Sequence, residues 1–485
     1  MGTASRRRSA GLQACRRAVA VAVLTGVVAG IGTATGARAG DTDGATIGGS
    51  VGPQAVTPVQ RAAASTPDDD GGGIVDIGGV AYPDPLRMKN GRPVRSTAEW
   101  ERTRRGELLD DFREHVFGQS LPRPQKETFD VDTTDVGGAT RKDGATGKDG
   151  ATPEDGATPE DGVTRKKVRI GITGPQGSGS IPLTVFIPKA MSAPKNAPKN
   201  APKNTAPRGT FLLIDHRGSA GDSPDESSEF APISTVTRAG YALAVLDAKA
   251  VAPDDAETYR SKAIDLFHPK GRDLPADAGR TISAWAWGAS RAMDYLQTDR
   301  DLDPGKVAVI GHSRGAKAAL WAGAQDTRFA AVIANNAGST GTKPARRGDG
   351  GVGAETNSKI NSSFPHWFPQ TYQDYGDRVD ELPVDQHELL ALAAPRRLVI
   401  GSAADDHNAD PQGEFLSYRA AAPVYALYGL GDTGLATTGW KPALDTPFRG
   451  AAMSYHLRSG DHGLKAEDWK AYLGGNLFER PVRSG

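Results

Sequence analysis

The chain has 485 residues, with 58 basic and 58 acidic side chains and no net charge. That balance gives no electrostatic case for nucleic acid or an anionic membrane surface as a partner, and one cysteine rules out an internal disulfide framework. With 60 glycines, 33 prolines and only 6% aromatic residues, part of the chain must lie outside a packed core.

The N-terminus reads as an export signal over residues 1–39. Arg6, Arg7, Arg8, Arg16 and Arg17 supply a positive start, Ala18 to Gly30 a short apolar run, and Ala37-Arg38-Ala39 a cleavage site. The run falls short of the ~20 apolar residues that a membrane span needs. Cys15 would leave with the signal, so the secreted, extracellular chain could use neither thiolate metal ligands nor a cysteine nucleophile. Residues 40–75, rich in Gly, Ala, Thr and Asp, read as a disordered linker. Order is expected from near Val80, within one domain spanning residues 76–485. A helix is expected from a cap-like Thr97 to about His115.

Two short repeats follow: Asp-Gly-Ala-Thr from Asp143 to Val163, and Ala-Pro-Lys-Asn from Ala193 to Asn204. Neither can bury apolar surface, so both read as low-complexity loop insertions, at about 138–165 and 191–207. Between them, Val168–Ile172 and Ile181–Ile187 alternate as strands do. From Gly209 the rhythm turns to strand and helix. Strands are expected at Phe211–Ile214, Tyr241–Leu246, Val307–Ile310, Phe329–Ala334 and Arg397–Gly401. Helices are expected at Thr235–Ala239 and Thr281–Leu296, the latter burying Trp285 and Trp287 as core. This alternation implies an α/β fold: a mostly parallel central sheet with helices on both faces.

The strand at Val307–Ile310 runs into Gly311-His312-Ser313-Arg314-Gly315 and then into helix formers. Strand, tight Gly-x-Ser-x-Gly turn and helix together make Ser313 a candidate nucleophile of an α/β-hydrolase fold. Such folds order their triad as serine, acid, histidine. The last histidine, His462, sits in a glycine-flanked loop before a helix at Ala466–Leu473, whereas His456 lies in an alternating, strand-like segment. The acid should follow the strand ending at Gly401. Asp406 stands at the expected distance, with Asp405 and Asp410 as alternatives. The oxyanion hole needs two donors: the Arg314 amide, and one from the loop Asp215-His216-Arg217-Gly218. His312 and His407 read as pocket-wall residues. His216, His366 and His387 are scattered without ligand spacing and read as satisfied polar or core groups and not as metal ligands.

The chain resembles the bacterial branch of the glucuronoyl esterase family from about Tyr82 to the C-terminus, the repeats excepted. The segments that carry the resemblance include Ala284-Trp-Ala-Trp-Gly288, Gly311-His-Ser-Arg314 with Lys317, Arg346-Arg347 with Glu355, Phe364-Pro-His-Trp-Phe368, Leu382-Pro-Val-Asp-Gln-His387 and Gly413-Glu-Phe415. The resemblance implies a secreted serine esterase that cleaves esters between 4-O-methyl-glucuronic acid of xylan and lignin alcohols. The resemblance implies no metal; no cofactor is expected, and the chain is expected to be a monomer and to meet no membrane once the signal is removed. It assigns the nucleophile to Ser313, the base to His462, an oxyanion contact to Arg314, and sugar-hydroxyl contacts to Lys317 and Glu355. Asn336 stands where many members carry a catalytic glutamate, and Asn408 where the family has a tryptophan. The elbow glycine falls one position early. An acetylxylan or other carbohydrate esterase, and a non-catalytic carbohydrate-binding protein on the same scaffold, are the alternative readings.

Overall fold

The computed structural model describes residues 74–136, 162–189, 206–218, 220–221, 228–434 and 442–481. The expected export signal, nearly all of the expected linker and the two repeats, apart from Gly162 and Val163, lie outside the described residues. Structure begins earlier than expected, with a two-stranded hairpin of β1 (Ile74–Ile77) and β2 (Val80–Pro83). The first long helix is also more complex than its sequence suggests. Ser96, not Thr97, caps it by accepting from the Glu99 amide, and Trp100–Arg104 form a π-helical turn before Arg105–His115.

Ten further strands form one sheet. They are β3 (Lys126–Val136), β4 (Val163–Gly174), β5 (Gly177–Pro188), β6 (Thr210–Asp215), β7 (Ala242–Asp247), β8 (Val307–His312), β9 (Ala331–Asn335), β10 (Arg397–Ala403), β11 (Phe448–Arg449) and β12 (Met453–Arg458). Their spatial order is β11-β12-β10-β9-β8-β6-β7-β5-β4-β3. From β12 to β7 every neighbour is parallel; β11 at one edge and β5, β4 and β3 at the other are antiparallel. The sheet is therefore mixed, with a parallel heart where strand and helix alternate in sequence. β4 begins at Val163, so the first expected insertion ends sooner than residue 165.

Side-chain alternation builds two cores. Leu212, Ile214, Val307 and Val309 enter one face with Trp285 and Trp321; Phe211, Leu213, Ala308 and Ile310 enter the other with Trp469. Both faces of β6 and β8 are thus buried, as an unbroken apolar run requires. Helices Thr281–Leu296 and Arg314–Gln325 cover the first face; Ile233–Arg238 and Ala466–Leu473 cover the second. Trp285 and Trp287 are core residues whose indole N–H groups donate to the carbonyls of Ala252 and Pro122. Among the described residues, no helix is long and apolar enough to cross a membrane.

Candidate active site

The parallel strands all end on one side, and the loops leaving β6, β8, β9, β10 and β12 build the site there. β8 stops at His312, and Ser313 turns the chain with φ 55 and ψ −128 before the helix starts at Arg314. A non-glycine residue with positive φ is strained, and the surroundings must hold it. Part of that hold is the Ser313 amide, which donates to the Asn335 carbonyl of β9 at 2.9 Å. The flanking glycines have a steric reason. A Cβ on Gly311 would stand 2.1 Å from the Gly315 carbonyl oxygen, and one on Gly315 would stand 3.0 Å from the Ile214 oxygen and 3.2 Å from His216 Nδ1.

Three aspartates follow β10, and their surroundings differ. Asp405 is exposed. Asp410 caps helix Pro411–Leu427 and pairs with Arg347 at 2.6 Å. Asp406 is buried, and its Oδ2 accepts from His462 Nδ1 at 2.6 Å and from Asn336 Nδ2 at 2.8 Å, while Oδ1 accepts from the Ala409 amide. Burial alone would push this carboxyl up; the bonds from His462 and Asn336 outweigh it and hold the group below the usual carboxylate range. A carboxylate at Nδ1 leaves Nε2 of His462 as the ring's acceptor.

The loop carrying His462 is tied down by Arg458 at the end of β12. Its guanidinium donates to the carbonyls of Ser459, Asp461 and Gly463 and to Asp468 Oδ2. His456, the rejected base, is buried and hydrogen-bonded through Nε2 to Asp468 Oδ1 at 2.7 Å. His462 also lies 4.6 Å, ring to ring, from His312, whose Nδ1 is 2.7 Å from Asn335 Oδ1. Burial first, and then His462, push the His312 pKa down to about 3, so it forms a neutral wall. Among the described residues no hydrogen bond joins the Ser313 hydroxyl to His462; in unliganded enzymes such contacts are often long.

Around the elbow, Arg314 Nη1 pairs with Asp254 Oδ2 at 2.6 Å, and its guanidinium stands over the rings of Trp367 and Phe364. As the first helical residue, Arg314 has an amide without an intrahelical acceptor. In the loop after β6, the Arg217 amide donates to Asp215 Oδ1, so that one is already engaged. His216 Nδ1 and Arg314 Nε are both buried without a partner. Lys317 is buried and directs its ammonium at the carbonyls of Ala337 and Ser339 and at Glu355 Oε2, at 2.7, 2.6 and 2.8 Å. An ammonium has three protons, so these partners use its whole donor capacity. His366 and His387 use Nε2 toward Asp254 and the Pro83 carbonyl, but their Nδ1 atoms, like that of His216, are buried without a partner among the described residues, so the three are polar groups within the fold and not the fully satisfied ones expected. His407 and Asn408 are exposed.

The family model described as "Glucuronyl esterase, fungi" matches residues 228–429. The carbohydrate esterase MZ0003 of an unknown prokaryotic organism is 34% identical over 412 residues, which are 81% of this chain and 88% of that protein. The glucuronoyl esterase from Solibacter usitatus is 32% identical, with a TM-score of 0.66 over 82% of this chain and 97% of its own. The chain belongs to the glucuronoyl esterase family. A promiscuous CE15 esterase from a marine bacterial metagenome is 30% identical, with a TM-score of 0.62 over 83% and 97% of the two chains. The α/β-hydrolase architecture holds, and the chain is a serine-dependent carboxylic-ester hydrolase.

Within this glucuronoyl esterase fold, Asn336 at φ 48 spans from β9 to Asp406. Asn tolerates the left-handed region better than most residues. Sequence reasoning missed Arg458 as the brace of the His462 loop and Asp254 as the partner of Arg314, and it marked Asn336 only as a departure from the family, not as a donor to Asp406. Each acts on a residue brought near only by folding.

Proposed function

We propose that this esterase cleaves the ester between 4-O-methyl-glucuronic acid of xylan and an alcohol of lignin, by way of an acyl-enzyme. The observation that carries the reading is the 2.6 Å bond between His462 Nδ1 and the buried Asp406, set beside the strained serine elbow. Ser313 Oγ attacks the uronate carbonyl and its proton passes to His462 Nε2. The bond to the alcohol then breaks, and the alcohol leaves with that proton. Water repeats the sequence on the acyl-enzyme and releases the free uronate. Asp406 keeps the imidazole in the working tautomer and stabilises its charged form. The Arg314 amide and guanidinium are suited to the developing oxyanion. Relatives support the substrate class, among them the 4-O-methyl-glucuronoyl methylesterase of Phanerochaete carnosa, 26% identical over 363 residues, 72% of this chain and 73% of that protein. The export signal expected over residues 1–39 would place its action outside the cell.

Ser313→Ala, assayed on methyl glucuronate and on a fluorophosphonate label, tests the reading. Loss of both turnover and labelling is expected. A broader carbohydrate-esterase activity, acetylated xylan included, is favoured by two observations. Lys317 has no proton left for a sugar hydroxyl, and an exposed Asn408 offers no stacking ring. A higher kcat/KM on acetylated xylan than on methyl glucuronate decides for it.

A further inference from the structure

Asp254 follows the short helix Ala248–Val251 after β7, far in sequence from the proposed triad. Three donors nevertheless converge on its carboxylate. Oδ1 accepts from His366 Nε2 at 2.9 Å and Trp367 Nε1 at 2.7 Å; Oδ2 accepts from Arg314 Nη1 at 2.6 Å. Burial pushes this carboxyl up, but those three bonds pull it far below the ordinary range, so it stays ionised. The same segment supplies a floor. Phe364 and Trp367 stack at 3.8 Å with their planes 3° apart, and the Arg314 guanidinium lies 5.0 and 4.6 Å from their centres.

A guanidinium is a planar fork with five donors. Here one end is fixed by Asp254, and the group lies against the side of the stacked pair Phe364 and Trp367. Its Nε, which is buried and meets no acceptor in the protein, belongs to the residue directly after Ser313. A buried, charge-bearing donor left unpaired calls for an explanation, and an acceptor that exists only during reaction provides one. Nearby His216 competes for nothing as a cation. Burial, and next the Arg314 charge, push its pKa down to about 3.

We propose that Asp254 is a positioning residue: locked by His366 and Trp367, it sets the Arg314 side chain so that the Nε edge meets the oxyanion of the tetrahedral intermediate. This rests on the acyl-enzyme reading with Ser313 as nucleophile. A donor fixed in advance lowers the barrier without strengthening substrate binding. The cost of losing it therefore falls on kcat and spares KM.

The test compares Asp254→Asn, Trp367→Phe, Arg314→Gln and the double variant Asp254→Asn/Arg314→Gln on methyl glucuronate, with melting temperatures alongside. Asp254→Asn should lower kcat by roughly 10²-fold, the scale of losing one oxyanion donor, with KM within about twofold. Trp367→Phe keeps the ring and removes one donor to Oδ1, and it should lower kcat several-fold; it serves if Asp254→Asn does not fold. In the Arg314→Gln background the Asp254 change should add nothing further. Independent, additive losses would overturn the proposal. So would an unchanged or higher kcat in Asp254→Asn, which would mean that the bare charge of Arg314 matters and its placement does not. Ser313→Ala separates the two levels. If it is inactive while Asp254→Asn behaves as wild type, only the role of Asp254 falls; if it still turns over, the nucleophile assignment falls and this proposal with it.

Discussion

Asn336 Nδ2 and His462 Nδ1 donate to the same oxygen of Asp406, at 2.8 and 2.6 Å. Asn336 thus supports the same carboxylate that holds the His462 ring. Asn336→Gly keeps the positive φ accessible and deletes the donor. A hydrogen bond to a charged group is worth about 1.5–3 kcal/mol, so kcat on methyl glucuronate should fall by about tenfold or more. A kcat equal to wild type would show the bond to be incidental.

Asp406→Asn and Asp410→Asn should separate chemistry from stability. Loss of the histidine-orienting carboxylate costs roughly 10⁴ in turnover in a comparable triad. Asp410 instead pairs with the largely buried Arg347 and caps helix Pro411–Leu427. Its substitution should lower the melting temperature and leave kcat within about tenfold. Steady-state kinetics and thermal melts on both variants check the division.

Lys317 gives a prediction that opposes the simplest expectation from the resemblance. Its three protons are spent on Ala337, Ser339 and Glu355. Lys317→Met would leave Glu355 and two carbonyls unpaired, and breaking a buried pair costs about 3–5 kcal/mol. The dominant effect should be a lower melting temperature, equally visible in the absence of sugar. A normal melt with a raised KM for glucuronate esters alone would instead restore Lys317 as a direct sugar contact.

Gly311→Ala should fail to form the elbow, because the new methyl group would meet the Gly315 carbonyl oxygen at 2.1 Å. Overpacking typically costs about 1–3 kcal/mol, and here the obstacle is backbone that cannot rotate aside. Soluble yield and melting temperature should both drop. A variant that melts as wild type does would show that the turn can open at little cost.

Glu414 predicts a pH dependence of stability. It is fully buried, between β10 and the loop that follows β9, and accepts from Ser402, Thr342 and the Gly338 amide. Burial pushes its pKa from 4.5 up to about 7. A raised acid pKa means that the folded state holds the proton more tightly. Its stabilising contribution is complete below pH ~4.5 and is lost as pH rises through about 7, up to about 3 kcal/mol over that window. Denaturant titrations from pH 5 to 8 should show stability falling more steeply in wild type than in Glu414→Gln. Parallel curves would remove Glu414 as the cause.

The sequence by itself determined the central strands, the helix before the elbow and the elbow itself, because these depend on neighbours along the chain. Alternation in β4 and β5, unbroken apolar runs in β6 and β8, and the helix Thr281–Leu296 are set by side-chain period against a buried face. Gly311 and Gly315 are dictated by a turn only a few residues long. Distance past β10 favoured Asp406, but only the tertiary structure shows which aspartate pairs with His462, because what folds against Asp405, Asp406 and Asp410 differs: solvent, a histidine with an asparagine, and an arginine. The same holds for Lys317 and Arg314, whose partners come from loops 20 to 60 positions away. Neither their saturated donors nor their free ones can be read from spacing, because hydrogen bonds are satisfied by proximity in space, which loop closure sets.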